Sequence, residues 1–128
     1  MAQEFFTEGK EDAPLTFAAR ITYPNASYNK TPITQSVVDS ITYKVFDKQT
    51  GIQTASSTFT VADTVFDTYQ TGDAWRSGGA GYNFAATVPA SAFPKSGKYR
   101  IEIQLSLTGS SMPIDLWINH LAAERLSS

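Results

Sequence analysis

Cysteine is absent from this chain, which removes disulfide staples, thiolate metal sites and a cysteine nucleophile together. Histidine occurs once, as His120, so no histidine cage can hold a metal, and any Ser/His/Asp triad would have to use this residue. No G-x-S-x-G turn accompanies it, and its place after an apolar strand reads as a polar strand end. Charge is scarce: ten Lys and Arg against twelve Asp and Glu leave a net charge of −2, without a basic run, which argues against nucleic acid as a partner. Long apolar runs are missing too. Nothing approaches the roughly 18 residues of a membrane helix, and Met1 to Lys10 lacks the basic start and apolar run of a secretory signal, so no membrane partner is expected.

The remaining chemical motifs are equally thin. Gly78-Gly79-Ala80-Gly81 is not followed by Lys-Ser or Lys-Thr and opens no helix, so it reads as a loop and not a phosphate cradle. Asp63, Asp67 and Asp73 match no calcium loop, and carboxylates in β-loops are usually solvated or cap turns. Asn25-Ala26-Ser27 fits a glycosylation sequon but sits in a turn-rich stretch with no signal peptide ahead of it. No aromatic-flanked pair of glutamates suggests glycoside hydrolysis. The expectation is a protein without catalytic activity, metal or cofactor.

What the chain does have is a period of two. At 128 residues it has the length of one domain with one real core. Leu15, Phe17, Ala19 and Ile21 alternate with Thr16, Ala18, Arg20 and Thr22; Ile41, Tyr43 and Val45 alternate with Thr42, Lys44 and Phe46. Asp47 to Gly51 reads as a hairpin turn, and the Ser/Thr-rich segment from Thr54 to Val61 as an edge strand. Tyr82, Phe84, Ala86 and Val88 form another run, which ends at Pro89. The clearest alternation follows, with Tyr99, Ile101, Ile103, Leu105 and Leu107 on one face, then a turn at Thr108-Gly109-Ser110-Ser111 and a return through Ile114, Leu116 and Ile118. About seven short strands without a long helical period predict an all-β fold, an immunoglobulin-like β-sandwich, with a jelly roll or small barrel as the alternative. Phe93-Pro94-Lys95-Ser96-Gly97-Lys98-Tyr99 reads as a loop crossing between sheets, with Tyr99 placed for a tyrosine corner.

Residues 1–14 break the pattern. They read as an extended N-terminal arm ahead of a sandwich domain at 15–128, too poor in apolar surface to order itself, with Phe5 and Phe6 available to dock on a neighbouring chain. Other candidate partner-binding residues are aromatic or stack with aromatics. Trp117 falls on the non-core face of the last strand with Asp115, Asn119 and Leu121, Trp75 and Arg76 lie in a loop, and Tyr82 follows the glycine run.

The segments Val65-Phe66-Asp67-Thr68-Tyr69-Gln70-Thr71-Gly72-Asp73-Ala74-Trp75, Gly81-Tyr82-Asn83-Phe84 and Val88-Pro89-Ala90-Ser91-Ala92-Phe93-Pro94 resemble those of small β-sandwich proteins encoded in structural gene clusters of tailed phages and prophages. Gly72 is a departure from that pattern, and the first forty residues take no part in it. The resemblance implies a virion component assembled in the host cytoplasm and brings no catalytic residues with it. Its nearest sense is a capsid decoration, or cement, protein that stabilises the shell through contacts with the major capsid protein or other virion proteins and self-associates into a homo-oligomer. A head-tail connector or tail accessory protein is the first alternative. A carbohydrate-binding or adhesion module using Trp75, Tyr82 and Trp117 as stacking platforms is the alternative of another class.

Overall fold

The computed structural model describes residues 3–22, 33–70, 81–109 and 113–124. These form two sheets packed face to face as an all-β sandwich. The strands are β1 (Gln3–Lys10), β2 (Leu15–Ala19), β3 (Val38–Asp47), β4 (Gln53–Phe59), β5 (Val65–Gln70), β6 (Tyr82–Val88), β7 (Gly97–Leu107) and β8 (Ile114–Ala123), with one helical turn, α1 (Val61–Thr64), between β4 and β5. The larger sheet has the order β1-β8-β7-β3-β4 and the smaller β2-β6-β5. All described neighbours are antiparallel except β1, which runs parallel to β8.

Alternation builds the core directly. The inward side chains of β7, Tyr99 through Leu107, are all buried, and they face Leu15, Phe17, Phe84, Ala86 and Val88 of the smaller sheet within one cluster. The β3–β4 turn is where the chain composition placed it: Gly51 has φ +75°, its N–H donates to the Asp47 carbonyl at 2.7 Å, and the Asp47 carboxylate accepts from Gln49 N–H at 2.9 Å. The strand from Gln53 lies at an edge, as its Ser/Thr content suggested. Before β7 the Tyr99 hydroxyl donates to the Lys95 carbonyl at 2.7 Å, so the chain crosses between sheets over a phenol that reaches back four residues.

The first residues correct the expectation of an arm. Residues 3–10 are a strand in the larger sheet, paired along their whole length from Gln3 beside Leu116 to Lys10 beside Ala123. The composition hid this because an edge strand takes its order from backbone hydrogen bonds and needs few apolar side chains facing inward. Here one suffices: Phe5 points to the core and meets the edge of the Phe17 ring at 5.0 Å, while Phe6, next in sequence, points to the other face. The Phe5-Phe6 pair is therefore not one docking element. It is an anchor and an exposed side chain.

The smaller sheet is held by a buried amide. Asn83 is buried, its Oδ1 accepts from Ile21 N–H at 2.7 Å, and its Nδ2 donates to the carbonyls of Ile21 and Ile33 at 2.8 and 3.0 Å. One side chain thus satisfies three backbone groups and ties residues 21 and 33 to β6. Truncation would take this partner from the Ile21 N–H and the Ile33 carbonyl, while the Ile21 carbonyl would keep the Ile33 N–H at 3.2 Å, at roughly 1–3 kcal/mol for each unpaired group that water cannot reach. Asn83→Ala is expected to lower the unfolding free energy by about 3 kcal/mol; equilibrium urea denaturation reads this, and a loss below about 1 kcal/mol would mean that the clamp is dispensable.

Candidate functional site

The outward face of the larger sheet is mostly polar, which makes its apolar members conspicuous. Register places Phe6 beside Asn119, between Trp117 and Leu121 on the neighbouring strand. Phe6 is 79% exposed and Leu121 41%, while Trp117 is half-buried. Charges frame the group. Glu4 and Glu102 flank Trp117 in register, Glu8 and Lys98 flank Leu121, and Lys48 Nζ donates to Asn119 Oδ1 at 3.2 Å. Aromatic side chains are enriched at the centres of protein interfaces and charged ones at their rims.

Trp117 lies on the non-core face, as alternation required. One face of its ring is covered by the Arg100 guanidinium, 3.7 Å from the centroid, and Arg100 Nε in turn lies 3.2 Å from a Glu102 carboxylate oxygen. This stack holds the indole in place and lowers the cost of keeping it near water. Tyr82 stands apart from this group, at the start of β6 in the smaller sheet, with its ring edge-to-face against Phe66 at 5.9 Å. The six candidates therefore do not form one site: Phe6 and Trp117 share a face, Phe5 is turned to the core, Tyr82 belongs to the other sheet, and Trp75 and Arg76 lie outside the described residues. Of the three aspartates, Asp67 accepts from Gln35 N–H at 2.8 Å, Asp63 is exposed in α1 and Asp73 lies outside the described residues. No group of three or more metal-ligating side chains occurs among the described residues.

A groove of about 990 Å³ runs beside this face, lined by residues 5–8 of β1, 15–20 in and just after β2, and His120 and Leu121. At its floor His120 is 3% exposed, with Nδ1 2.8 Å from the Thr7 hydroxyl and its ring 4.7 Å from that of Phe93. Gly9 lies over the imidazole so closely that a Cβ there would come within 3.0 Å of Cε1. The histidine that looked like a strand end is thus the wedge on which β1 rests. Its one sequence signal, a glycine at the matching register of β1, cannot be seen until the pairing is known.

Neither a protein-family model, nor a curated protein, nor a solved structure matches this chain.

Two expectations follow from this site. Burial pushes the His120 imidazole below its ordinary value near 6.5. Above that value the ring is neutral in both the folded and unfolded states; as pH falls through it, the unfolded chain takes up the proton first, so stability declines until the folded pKa is passed. Thermal denaturation between pH 7 and about pH 5, above the carboxylate range, should show this decline, and His120→Asn should flatten it. The two phenylalanines should separate cleanly: Phe5→Ala lowers stability by about 2–3 kcal/mol through lost core contact, whereas Phe6→Ser changes it by less than about 0.5 kcal/mol in the same denaturation assay.

Proposed function

We propose that this chain is a non-catalytic structural module of a tailed-phage virion, acting as a capsid decoration or cement protein. It would work by surface burial, docking on the major capsid protein through the face that carries Phe6, Trp117 and Leu121. The observation behind this reading is Phe6: a phenylalanine 79% exposed on a strand pinned along its length, beside a second exposed apolar residue and a stacked tryptophan. A rigid strand presents its side chains without the ordering cost that a disordered arm would meet, so even a small patch binds efficiently. The virion setting comes from the sequence resemblance.

We read the sandwich as immunoglobulin-like. The order β2-β6-β5 corresponds to strands B-E-D and β8-β7-β3-β4 to G-F-C-C′, and the Tyr99 hydroxyl bond to Lys95 stands where that fold has its tyrosine corner. A head-tail connector or tail accessory role uses the same surface and differs in copy number. The carbohydrate-binding reading is weaker, because Trp117 has already given one ring face to Arg100 and Tyr82 meets Phe66.

Quantitative mass spectrometry of purified particles tests the proposal. Copies in proportion to the major capsid protein support shell decoration, a handful matching the portal's symmetry supports the neck or tail, and none overturns the virion reading. In the first case Phe6→Ser with Leu121→Ser is expected to leave a folded protein that no longer binds particles stripped of it.

A further inference from the structure

Four strand edges are left open by the two sheets among the described residues: β1 and β4 in the larger, β2 and β5 in the smaller. An open edge is a template for another strand, and proteins blunt it with charges, bulges or short irregular pairing. Three of the four are blunted. Glu4, Glu8 and Lys10 stand along β1; β4 skips a residue opposite Val45 and Phe46; β5 sets the five-residue step from Val65 to Gln70 against the two-residue step from Phe84 to Tyr82. β2 is short, at five residues, but carries neither a charge nor a bulge. Its sequence, Leu15-Thr16-Phe17-Ala18-Ala19, is uncharged and pairs with β6 in unbroken register. The groove described above is lined by consecutive residues of both β1 and β2, so open space borders β2 along its length.

We infer that the open edge of β2 is a self-association surface, taken by β2 of a second copy running antiparallel about a two-fold axis. The sequence of β2 is complementary to itself in that arrangement. With Phe17 at the axis, Leu15 lies opposite Ala19 of the second copy and Thr16 opposite Ala18, so each larger side chain meets a smaller one. The two Phe17 rings are neighbours across the axis. A two-fold contact uses both unguarded edges at once and closes, whereas a strand donated by an unrelated protein would bring a new open edge with it. The product is a continuous six-stranded sheet, β5-β6-β2 followed by its symmetry mate. Five residues a side is a small interface, so the dimer is weak in dilute solution and gains strength where many copies are held together. The inference concerns this edge alone and does not depend on the virion setting.

Sedimentation velocity over a wide concentration range tests it with two paired variants of the exposed side of β2. Thr16→Lys with Ala18→Lys sets like charges opposite one another twice across the axis, and should weaken dimerisation at low salt roughly tenfold. Thr16→Lys with Ala18→Glu sets Lys opposite Glu twice, and should restore or exceed the original association. Both variants place charge on the solvent side of β2, and thermal unfolding at low concentration checks that each still folds. Hydrogen exchange should slow, as the original protein is concentrated, at the alternate β2 amides that point away from β6. A chain that stays monomeric throughout, a dimer that responds equally to both variants, or edge-facing β2 amides fully protected in the monomer would each overturn the inference.

Discussion

Phe93 is where the separate parts of this sandwich are tied together. It is fully buried, its ring meets Tyr99 edge-on at 5.2 Å and His120 at 4.7 Å, and its carbonyl accepts the Asp12 N–H from the turn that leads out of β1. Tyr99 lies near the start of β7, His120 belongs to β8, and Asp12 lies in the turn between β1 and β2. A single side chain therefore fixes the crossing loop, the start of the central strand and the seat of β1 at once. The Tyr99 phenol, pushed up by burial, stays protonated at neutral pH and keeps its donation to Lys95 intact. Because Thr7 and Gly9 rest on His120, the order of β1, and with it the presentation of Phe6, depends on this corner.

That dependence explains which parts of the fold could be read from the chain and which could not. β3, β7 and β8 each bury every second side chain over four or more positions, and such strands announce themselves by alternation. The hairpin at Gly51 and the crossing at Tyr99 were legible because glycine and tyrosine serve there for local reasons, a positive φ and a hydroxyl reaching four residues back. β1 was not. Its inward positions are Phe5, Thr7 and Gly9, and the last two are small because an imidazole from another strand occupies the space. Information of that kind is tertiary. Of the candidate site, Trp117 and Leu121 could be placed on the outer face from sequence alone, but their juxtaposition with Phe6 required the β1–β8 register.

Several residues of the segments that resemble those of phage β-sandwich proteins serve the architecture. Gly81 has φ +88°, and a Cβ there would collide with the Gln70 carbonyl oxygen at 2.6 Å. Asn83 is the three-bond clamp and Phe84 its buried neighbour. Pro89 precedes a single helical turn that delivers Ala92 and Phe93 to the core. Such residues are constrained by the interior whatever the surface does, so shared motifs of this type transmit a scaffold and leave partner choice free. Specificity has to reside in positions the interior does not dictate, and on the larger sheet those include the outward members of β1 and β8.

A scaffold of this kind sets limits on how it can bind. The outward apolar group consists of three side chains within a charged rim, too small for the tight one-to-one complexes that bury a large hydrophobic core. Rigid strands offset part of the shortfall by removing ordering costs, and repetition offsets more, since a second contact made by a tethered copy is favoured by effective concentration and not by new area. The two surfaces also lie at different places on the molecule, one on the outer face of β1 and β8, the other along the edge of β2. A protein that used the first to grip a lattice and the second to reach its neighbour would need neither surface to be strong, because each engagement would hold the other's partner close.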